Sequence, residues 1–239
     1  MNQLLNRELA RELNQHTQSW NILDTLKYLA EKFRRQITFS TSFSYEDQVI
    51  SDIIFTHNLP ITIFTLDTGR LFEETYKVHS RTLAKYDKLI KVYVPDHAKV
   101  EKLVTQQGPF SFYESVEQRK ECCHIRKVEP LNRALKNMAC WITGVRGSQS
   151  ESRQNWSKFE YDDSHQLIKY NPLINWTLEE TIAYIKANHV PYNILHDRGY
   201  PSIGCAPCTR PVKEGEDIRA GRWWWENNTS RECGIHSND

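Results

Sequence analysis

The sequence lacks the features that mark a membrane-bound, secreted or nucleic-acid-binding protein. No apolar run approaches the length that spans a bilayer. The first twenty residues contain neither the apolar core nor the small-residue cleavage site of a signal peptide. The net charge is only +1, whereas nucleic-acid binders usually carry a strong basic excess. We therefore expect a cytoplasmic chain with no membrane or nucleic-acid partner. Assembly into a homo-oligomer is left open.

Internal repeats, low-complexity tracts and linkers are also missing, which favours one domain over residues 1–239. Strand patterns and helical patterns alternate along the first two thirds of the chain. Strands are predicted over 37–40, 61–64, 89–94 and 140–144. Helices are predicted over 3–14, 20–34, 71–86 and 97–106, with one or two more over 115–137. This alternation predicts an α/β fold, with a mostly parallel twisted sheet and helices on both faces.

The C-terminal third does not continue this alternation of strand and helix patterns. A hairpin is predicted over 158–170, and the capping box of Thr177 with Glu180 predicts the start of a helix. Beyond about residue 190 the chain is rich in Pro, Gly and aromatic residues and shows little periodicity. We expect an irregular C-terminal segment, of which residues 211–239 are mobile.

Six cysteines are present in a chain where disulfides are less expected than metal or redox chemistry. Four of them form two pairs, the adjacent Cys122 and Cys123 and the Cys-x-x-Cys of Cys205 and Cys208. Thiolates bind zinc and iron–sulfur clusters. Neighbouring helix side chains point about 100° apart, which suits two corners of a 4Fe–4S cluster better than one ion. A structural zinc, or an incidental cysteine pair, is the alternative. Cys140 lies in an apolar run and is expected to be a small buried hydrophobe.

Cys233 lies close to the C-terminus, followed by His236. Chain ends are usually mobile, so a thiol there can reach a substrate and afterwards meet a partner. His236 can lower the pKa of the thiol or donate a hydrogen bond to it. We interpret Cys233 as a candidate nucleophile, with a free surface cysteine as the alternative.

The loop over 41–47 follows the strand at 37–40 and precedes a helix. Its hydroxyl groups on Ser42 and Ser44, with the backbone N–H groups of a helix start, suit an anion. Loops at the carboxyl ends of parallel strands are also where such sheets bind ligands. The alternative is an ordinary N-cap by Ser44, with Glu46 and Asp47 complementing the helix dipole. The following helix is expected to have one apolar face.

Arginine and lysine side chains supply candidate anion-binding groups. Arg146 follows the strand at 140–144, and Arg219 and Arg222 lie in the irregular segment. Guanidinium groups match phosphate and sulfate oxygens in a bidentate manner. Arg126 and Lys127 follow the first cysteine pair, where they would offset the negative charge of thiolates. Solvated surface charge is the alternative for each.

Two further motifs have simpler interpretations. Gly69, in the turn after the strand at 61–64, is expected to adopt a positive φ. The run Trp223-Trp224-Trp225 is expected to form core and aromatic cover, or else a wall that keeps water from a site.

These motifs, in this order, resemble those of the assimilatory sulfonucleotide reductases, specifically the adenosine 5′-phosphosulfate (APS) reductases of the bacterial and plant type. The resemblance extends from residue 40 to residue 236, and the three C-terminal stretches are the most specific. The matching stretches are Ser42-Phe43 with Glu46-Asp47, and residues 66–70, 121–127, 204–211, 221–226 and 232–236.

The resemblance implies an adenine-nucleotide α-hydrolase-like fold and a 4Fe–4S cluster on the two cysteine pairs. It implies that Cys233, assisted by His236, attacks the sulfur of APS and forms a thiosulfonate while AMP leaves. Thioredoxin, or a similar dithiol donor, then frees sulfite. Because the thiols supply both electrons, the cluster is expected to act structurally and electrostatically.

The resemblance also implies a set of substrate-binding residues. They are Ser42, Ser44, Leu66, Lys127, Gly144, Arg146, Arg219 and Arg222. One stretch departs from the family pattern, because the loop usually reads Gly-Ala before the acidic pair and here reads Ser44-Tyr45. The bulk of Tyr45 bears on how closely a nucleotide approaches the backbone there.

Three other functions compete with APS reduction. The first is reduction of the 3′-phosphorylated nucleotide PAPS, or of both nucleotides; family members restricted to PAPS generally lack the two cysteine pairs. The second is an ATP-cleaving enzyme of the same fold, which needs a Ser-Gly-Gly-x-Asp-Ser-like loop, whereas residues 40–48 contain no glycine. The third is a non-catalytic zinc or redox-sensor protein.

Overall fold

The structure is a computed structural model that describes residues 3–149, 153 and 155–226, with only the backbone described for residues 3–5. The chain divides into two compact units. The first unit comprises residues 1–65, 75–91 and 137–193, and the second comprises 66–74, 92–136 and 194–239. A single functional domain over 1–239 stays a prediction, as does mobility of residues 211–239.

A six-stranded sheet has the order β3-β2-β1-β4-β6-β5. Its strands are β1 Ile37–Ser40, β2 Thr62–Leu66, β3 Lys91–Tyr93, β4 Cys140–Ile142, β5 Phe159–Asp162 and β6 Leu167–Tyr170. Strand β1 pairs in parallel with β2 and β4, and β4 pairs in parallel with β6. Strand β5 pairs with β6 in antiparallel orientation, which confirms the predicted hairpin. The predicted class, a mostly parallel sheet with helices on both faces, is confirmed.

The helices match the predicted positions within a few residues. They are α1 Gln3–His16, α2 Ile22–Phe33, α3 Tyr45–Thr56, α4 Glu73–Tyr86, α5 His97–Gln107, α6 Val116–Cys123, α7 Glu129–Leu135 and α8 Leu178–Ala187. The predicted capping box at α8 is confirmed, because Thr177 Oγ1 accepts from the Glu180 N–H and Glu180 accepts from the Thr177 N–H. No helix in the described part of the chain is long and apolar enough to cross a bilayer.

Helix α3 is buried more completely than its prediction required. The predicted apolar face is confirmed, because Val49, Ile50, Ile53 and Ile54 all lie in the main core. Residues 46–55 are nevertheless all buried, including the polar Gln48, Ser51 and Asp52 on the other faces. Gln48 Nε2 donates to Thr82 Oγ1 at 2.8 Å, and the Asp52 carboxylate accepts from two tyrosine hydroxyls. The helix packs inside the first unit, among the strands and helices of its main core.

The second unit has a smaller core that includes sulfur atoms. Its buried side chains are Leu103, Phe112, Cys122, Cys205, Cys208 and Trp223. Helix α6 continues into a π-helical turn at His124–Val128 before α7 begins. Single π-helical turns are often found at functional sites. Within the described residues, the segment beyond 190 consists of turns and short 3₁₀ segments, as expected.

Candidate functional site

In the first unit, the loop between β1 and α3 is held by its own side chains. The Thr41 N–H donates to the Phe64 carbonyl on β2 at 2.8 Å, so the loop starts as an extension of the sheet. Ser44 occupies the N-cap position of α3, but its side chain makes no cap hydrogen bond. The N-cap interpretation is therefore correct for the backbone of Ser44 and wrong for its hydroxyl. Its Oγ instead lies 3.3 Å from the Ser42 Oγ.

Phe43 has a backbone conformation that the sequence did not indicate. Its φ is +62°, in the left-handed region that favours glycine. The side chain is 1% exposed and stacks on the His79 ring with centroids 4.8 Å apart. Burial of an aromatic ring thus offsets a strained backbone. The loop turns without a glycine because Phe43 takes the conformation that a glycine would provide.

Asp47 lies at the centre of this loop. Its Oδ2 accepts hydrogen bonds from the Ser42 N–H and the Ser42 hydroxyl, both at 2.6 Å. Burial raises the pKa of Asp47 to about 6, although the bonds from Ser42 oppose the rise. A Cβ on Gly144 would lie 1.9 Å from Asp47 Oδ1, so any larger residue at this position after β4 would displace the Asp47 carboxylate. The structure thus brings together Ser42 and Gly144, two of the predicted site residues, through Asp47.

Arg146 is buried in an ion pair with Glu46. Its Nε donates to Glu46 Oε1 at 2.6 Å, and the two side chains are 3% and 6% exposed. A second guanidinium nitrogen donates to the Ser148 hydroxyl at 2.5 Å. The solvated-charge alternative is therefore wrong for Arg146. The charge of Glu46 is compensated within the first unit, which leaves Asp47 as the acidic group with the raised pKa.

In the second unit, the first cysteine pair ends α6. Ser115 caps this helix by accepting from the Gln118 N–H at 3.2 Å. Cys122 and Cys123 are its last two residues, Cys122 buried and Cys123 half-buried. Their helical backbone directs the two thiols about 100° apart, as the sequence indicated.

The second cysteine pair forms a tight turn. Cys205 precedes a 3₁₀ turn at Ala206–Cys208, in which the Cys208 N–H donates to the Cys205 carbonyl at 3.0 Å. The Ala206 N–H donates to the Arg70 carbonyl at 2.8 Å, and Thr68 Oγ1 lies 3.3 Å from Cys205 Sγ. The turn after β2 therefore supports the turn that bears the cysteines. Gly69 in that turn has φ +69°, as predicted.

Thr68 was not singled out from the sequence. Its only signal was a hydroxyl beside Gly69 in a turn, which many surface turns share. The structure gives it two further contacts, because its carbonyl accepts from Arg126 at 2.7 Å and its hydroxyl accepts from the Arg70 N–H at 3.2 Å.

The thiols of Cys122, Cys205 and Cys208 influence one another, and nearby cations act on the cysteines. Burial raises the pKa of Cys122, and Cys205 adds to the rise while Arg126 and Arg70 oppose it. Burial likewise raises the pKa of Cys208 to about 12; Cys205 and Cys122 add to this, whereas Lys127 and Arg222 oppose it. Arg119 interacts with Cys123. The predicted role of Arg126 and Lys127 as neighbouring cations is thus supported by their positions.

Several buried donors beside the cysteines have no acceptor among the described residues. They are Arg126 Nε, Arg222 Nε and Trp223 Nε1. Buried donors of this kind normally have partners, and the inorganic sulfides of an iron–sulfur cluster would be acceptors. Over residues 3–149, 153 and 155–226, no three His, Cys, Asp or Glu side chains are grouped to hold one metal ion. The donor set of four thiols, its apolar surroundings and these unbonded N–H groups fit a cluster.

The remaining predicted residues are placed as follows. Leu66 ends β2 in the second unit, and Arg222 is 6% exposed, with Nη1 3.4 Å from the Ser202 hydroxyl. The Arg219 carbonyl accepts from the Arg222 N–H at 2.9 Å. Gly204 lies against Arg222, since a Cβ there would be 2.3 Å from its guanidinium. Cys233 and His236 lie outside the described residues.

The structure bears on the interpretations of Cys140 and of the tryptophan run 223–225. Cys140 is fully buried on β4, and burial raises the pKa of its thiol, as expected of a small hydrophobe in the core. Trp223 is 1% exposed and belongs to the core of the second unit, whereas Trp224 is 47% exposed. The tryptophan run therefore provides core at one end and surface at the other.

Comparisons with known proteins agree on one family. Residues 36–211 match the phosphoadenosine phosphosulfate reductase domain family. The adenosine 5′-phosphosulfate reductase of Neisseria meningitidis serogroup B is 51% identical over 203 residues, covering 84% of this chain and 82% of that protein. The adenosine 5′-phosphosulfate reductase of Sinorhizobium fredii USDA 257 is 48% identical over 227 residues, covering 95% and 90%.

Solved structures give the same fold. The phosphoadenylyl-sulfate (PAPS) reductase of Candida auris, a phosphate complex, superposes with a TM-score of 0.73 at 28% identity, covering 86% of this chain and 97% of that one. The FMN adenylyltransferase of Candida glabrata superposes with a TM-score of 0.54 over 95% of this chain and 85% of that one. Because its identity is 15%, this second likeness shows the fold alone.

Proposed function

Since this chain belongs to the adenosine 5′-phosphosulfate reductases of the phosphoadenosine phosphosulfate reductase family, we propose that it reduces APS to sulfite and AMP in sulfate assimilation. The observation that carries the proposal is identity of about half the residues to proteins of that name over most of the chain. Cys122, Cys205 and Cys208, which share one small core, support it.

We propose that Cys233 is the nucleophile, with His236 assisting its deprotonation. The thiolate attacks the sulfur of APS, a bond forms between Sγ and that sulfur, and the bond from sulfur to the bridging oxygen breaks. AMP takes the electron pair and leaves, and the enzyme carries an S-sulfocysteine. A dithiol donor such as thioredoxin then supplies two electrons by thiol exchange and releases sulfite.

The proposed substrate-binding residues are Ser42, Ser44, Leu66, Lys127, Gly144, Arg146, Arg219 and Arg222. Guanidinium and ammonium groups stabilise the charge that develops on the phosphate as AMP leaves. Arg146 already donates to Glu46 and Ser148, so its charge is held in a fixed direction before any substrate arrives.

We propose that Cys122, Cys123, Cys205 and Cys208 would hold a 4Fe–4S cluster, which would supply a rigid, charged group when bound. The chain contributes Arg126, whose Nη1 is fixed on the Thr68 carbonyl at 2.7 Å. It also contributes Thr68, whose hydroxyl contacts Cys205 Sγ. These contacts orient the ligands before the metal binds. A cytoplasmic location fits a site built on free thiols.

The proposal is tested by mass spectrometry of the first half of the reaction. Anaerobically purified protein is mixed with APS or with PAPS without any dithiol, and the peptide containing Cys233 is weighed. A gain of one SO₃ group with APS alone would establish the nucleophile, the reaction and the substrate. The same gain with both nucleotides would widen the substrate to PAPS. No gain, from protein that retains iron and sulfide, would refute the proposed reaction.

Cys233→Ser is the matching variant. We expect it to abolish sulfite formation, because the serine hydroxyl is a far weaker nucleophile at neutral pH. The visible absorption of the cluster should be unchanged, since its proposed ligands are other cysteines. Full sulfite formation by this variant would refute the role of Cys233, and zinc in place of iron and sulfide would refute the cluster.

A further inference from the structure

The second unit carries a continuous set of aromatic side chains at its surface, Phe110, Tyr113, Trp225 and Trp224, here called the aromatic patch. Ring centroids follow one another at 6.2 Å from Phe110 to Tyr113, 4.4 Å from Tyr113 to Trp225, and 5.6 Å from Trp225 to Trp224. Phe110, Tyr113 and Trp224 are 58%, 38% and 47% exposed. Contiguous exposed aromatic rings are characteristic of interaction sites, where such residues supply most of the binding energy.

The aromatic patch is supported from below by the cysteine-bearing turn. The Tyr113 hydroxyl donates to the Pro207 carbonyl at 2.6 Å, between Cys205 and Cys208 in sequence. Phe112 is 2% exposed beneath the patch, and the Arg70 guanidinium lies 5.0 Å from its ring. The Tyr113 ring is therefore held in place, and a partner that binds it loses little conformational entropy.

The aromatic patch also lies at the root of the segment that carries Cys233. Glu226 follows Trp225 directly, and its carboxylate is held by Arg119 through two bonds of 2.6 and 3.0 Å. Cys233 is seven residues further along the chain. An extended chain of that length spans roughly 25 Å. Any molecule that reacts with Cys233 must therefore approach within that radius of Glu226.

The composition of residues 227–239 argues against this segment as the occupant of the aromatic patch. The segment contains one large apolar side chain, Ile235, and is otherwise composed of polar, small and charged residues. Four aromatic rings need a larger apolar surface than that. A protein whose reactive dithiol is surrounded by apolar surface matches both requirements, because it covers the rings while its thiol reaches Cys233.

We propose that the aromatic patch is the docking surface of the protein dithiol that releases sulfite from Cys233, an inference that rests on the proposed function. One donor thiolate attacks Cys233 Sγ, the bond between Sγ and the sulfonate sulfur breaks, and sulfite leaves with the electron pair. The second donor thiol then attacks the mixed disulfide, which releases the Cys233 thiolate. The donor ends as a disulfide and Cys233 ends as a thiol.

The test separates the two halves of the reaction. Phe110→Lys and Trp224→Lys proteins are converted to the S-sulfocysteine form with APS and freed of nucleotide. Sulfite release is then measured with purified thioredoxin and, separately, with dithiothreitol. Leu89→Lys is the matched control, because Leu89 is a 91% exposed apolar side chain of the first unit.

We expect the second-order rate of sulfite release by thioredoxin to fall at least about tenfold in both patch variants. The dithiothreitol rate and the rate of adduct formation should be unchanged, because a small dithiol needs no docking surface. Leu89→Lys should match the unaltered protein in all three measurements.

Three results would overturn the inference while leaving the proposed function intact. The first is an unchanged rate of sulfite release by thioredoxin in the patch variants, and the second is an equal loss of rate with dithiothreitol. The third is slower formation of the S-sulfocysteine adduct, which would mean that the segment after Glu226 binds the patch. An altered sedimentation coefficient with an unchanged thioredoxin rate would assign the patch to a second copy of the chain. Absence of any adduct in the unaltered protein would instead refute the proposed function, and this inference with it.

Discussion

Two neighbouring carboxyl groups in the loop after β1, those of Glu46 and Asp47, are buried in different ways. Glu46 is paired with Arg146 at 2.6 Å, so its charge has a partner of opposite sign. Asp47 instead accepts two bonds from Ser42, and desolvation raises its pKa despite them. Removing one partner of a buried ion pair is strongly destabilising, because it leaves an unpaired buried charge. Replacing both partners by apolar residues usually costs far less. Arg146 is therefore needed for the loop itself, whatever it contributes to substrate binding.

The raised pKa of Asp47 gives a pH dependence of known sign. The pKa is about 6 in the folded chain and 3.8 in a model compound, so the unfolded chain releases this proton first. The contribution of Asp47 to the free energy of unfolding should therefore fall as the pH rises from about 4 to about 6 and stay constant above. The Asp47→Asn variant has no titrating group at this position, so its free energy of unfolding should lack this pH dependence. Unfolding of both proteins should be measured anaerobically across this range, and a pH-independent difference between them would contradict the assignment.

At the scale of elements, periodicity and caps were sufficient to predict most helices and strands. The capping box at Thr177 and the alternation around β1 and β4 are local signals, and the structure confirms them. The burial of all sides of α3 could not be predicted, because it depends on Thr82, Tyr86 and Tyr184, which are distant in sequence. Loop geometry was equally inaccessible, since nothing local indicates a left-handed Phe43.

The two N-caps provide a matched pair for measuring what a side-chain cap contributes. Thr177→Ala removes a bonded cap of α8 and should lower the free energy of unfolding by about 1 kcal/mol. Ser44→Ala changes the same position of α3, where the side chain makes no cap bond, and should cost much less. Chemical denaturation of both variants gives the comparison. Equal losses would mean that the cap bond at Thr177 contributes little.

For the candidate site, the sequence predicted cysteine ligands but gave no sign of the residues that support those cysteines. Cysteine spacing is a local signal with few alternatives. The contacts of Thr68 with Cys205 and of Arg119 with Glu226 join segments more than one hundred residues apart, and no pattern in one sequence reports them. Candidate ligands could be predicted from residue type and spacing, whereas the side chains that contact them could not, because those contacts depend on tertiary packing.

At the scale of the whole molecule, the proposed cluster ligands all lie in the second unit, while most of the sheet lies in the first. Removal of the proposed cluster with a chelator should therefore affect the units unequally. We expect faster amide hydrogen exchange over residues 92–136 and 194–226, because metal binding stabilises the segments that supply its ligands. Strands β1 and β4 should keep their protection. A uniform increase along the chain would contradict this expectation.

The second unit is discontinuous in sequence, and this has a consequence for biosynthesis. Its three segments, 66–74, 92–136 and 194–239, alternate with those of the first unit, which is complete at residue 193. A ribosome therefore finishes the whole first unit before it translates Cys205 and Cys208, the second pair of proposed ligands. Insertion of the proposed cluster would therefore follow translation of nearly all of the sequence, up to Cys208. Until then, Cys122 and Cys123 have already emerged and depend on the cell's reducing systems to stay unoxidised.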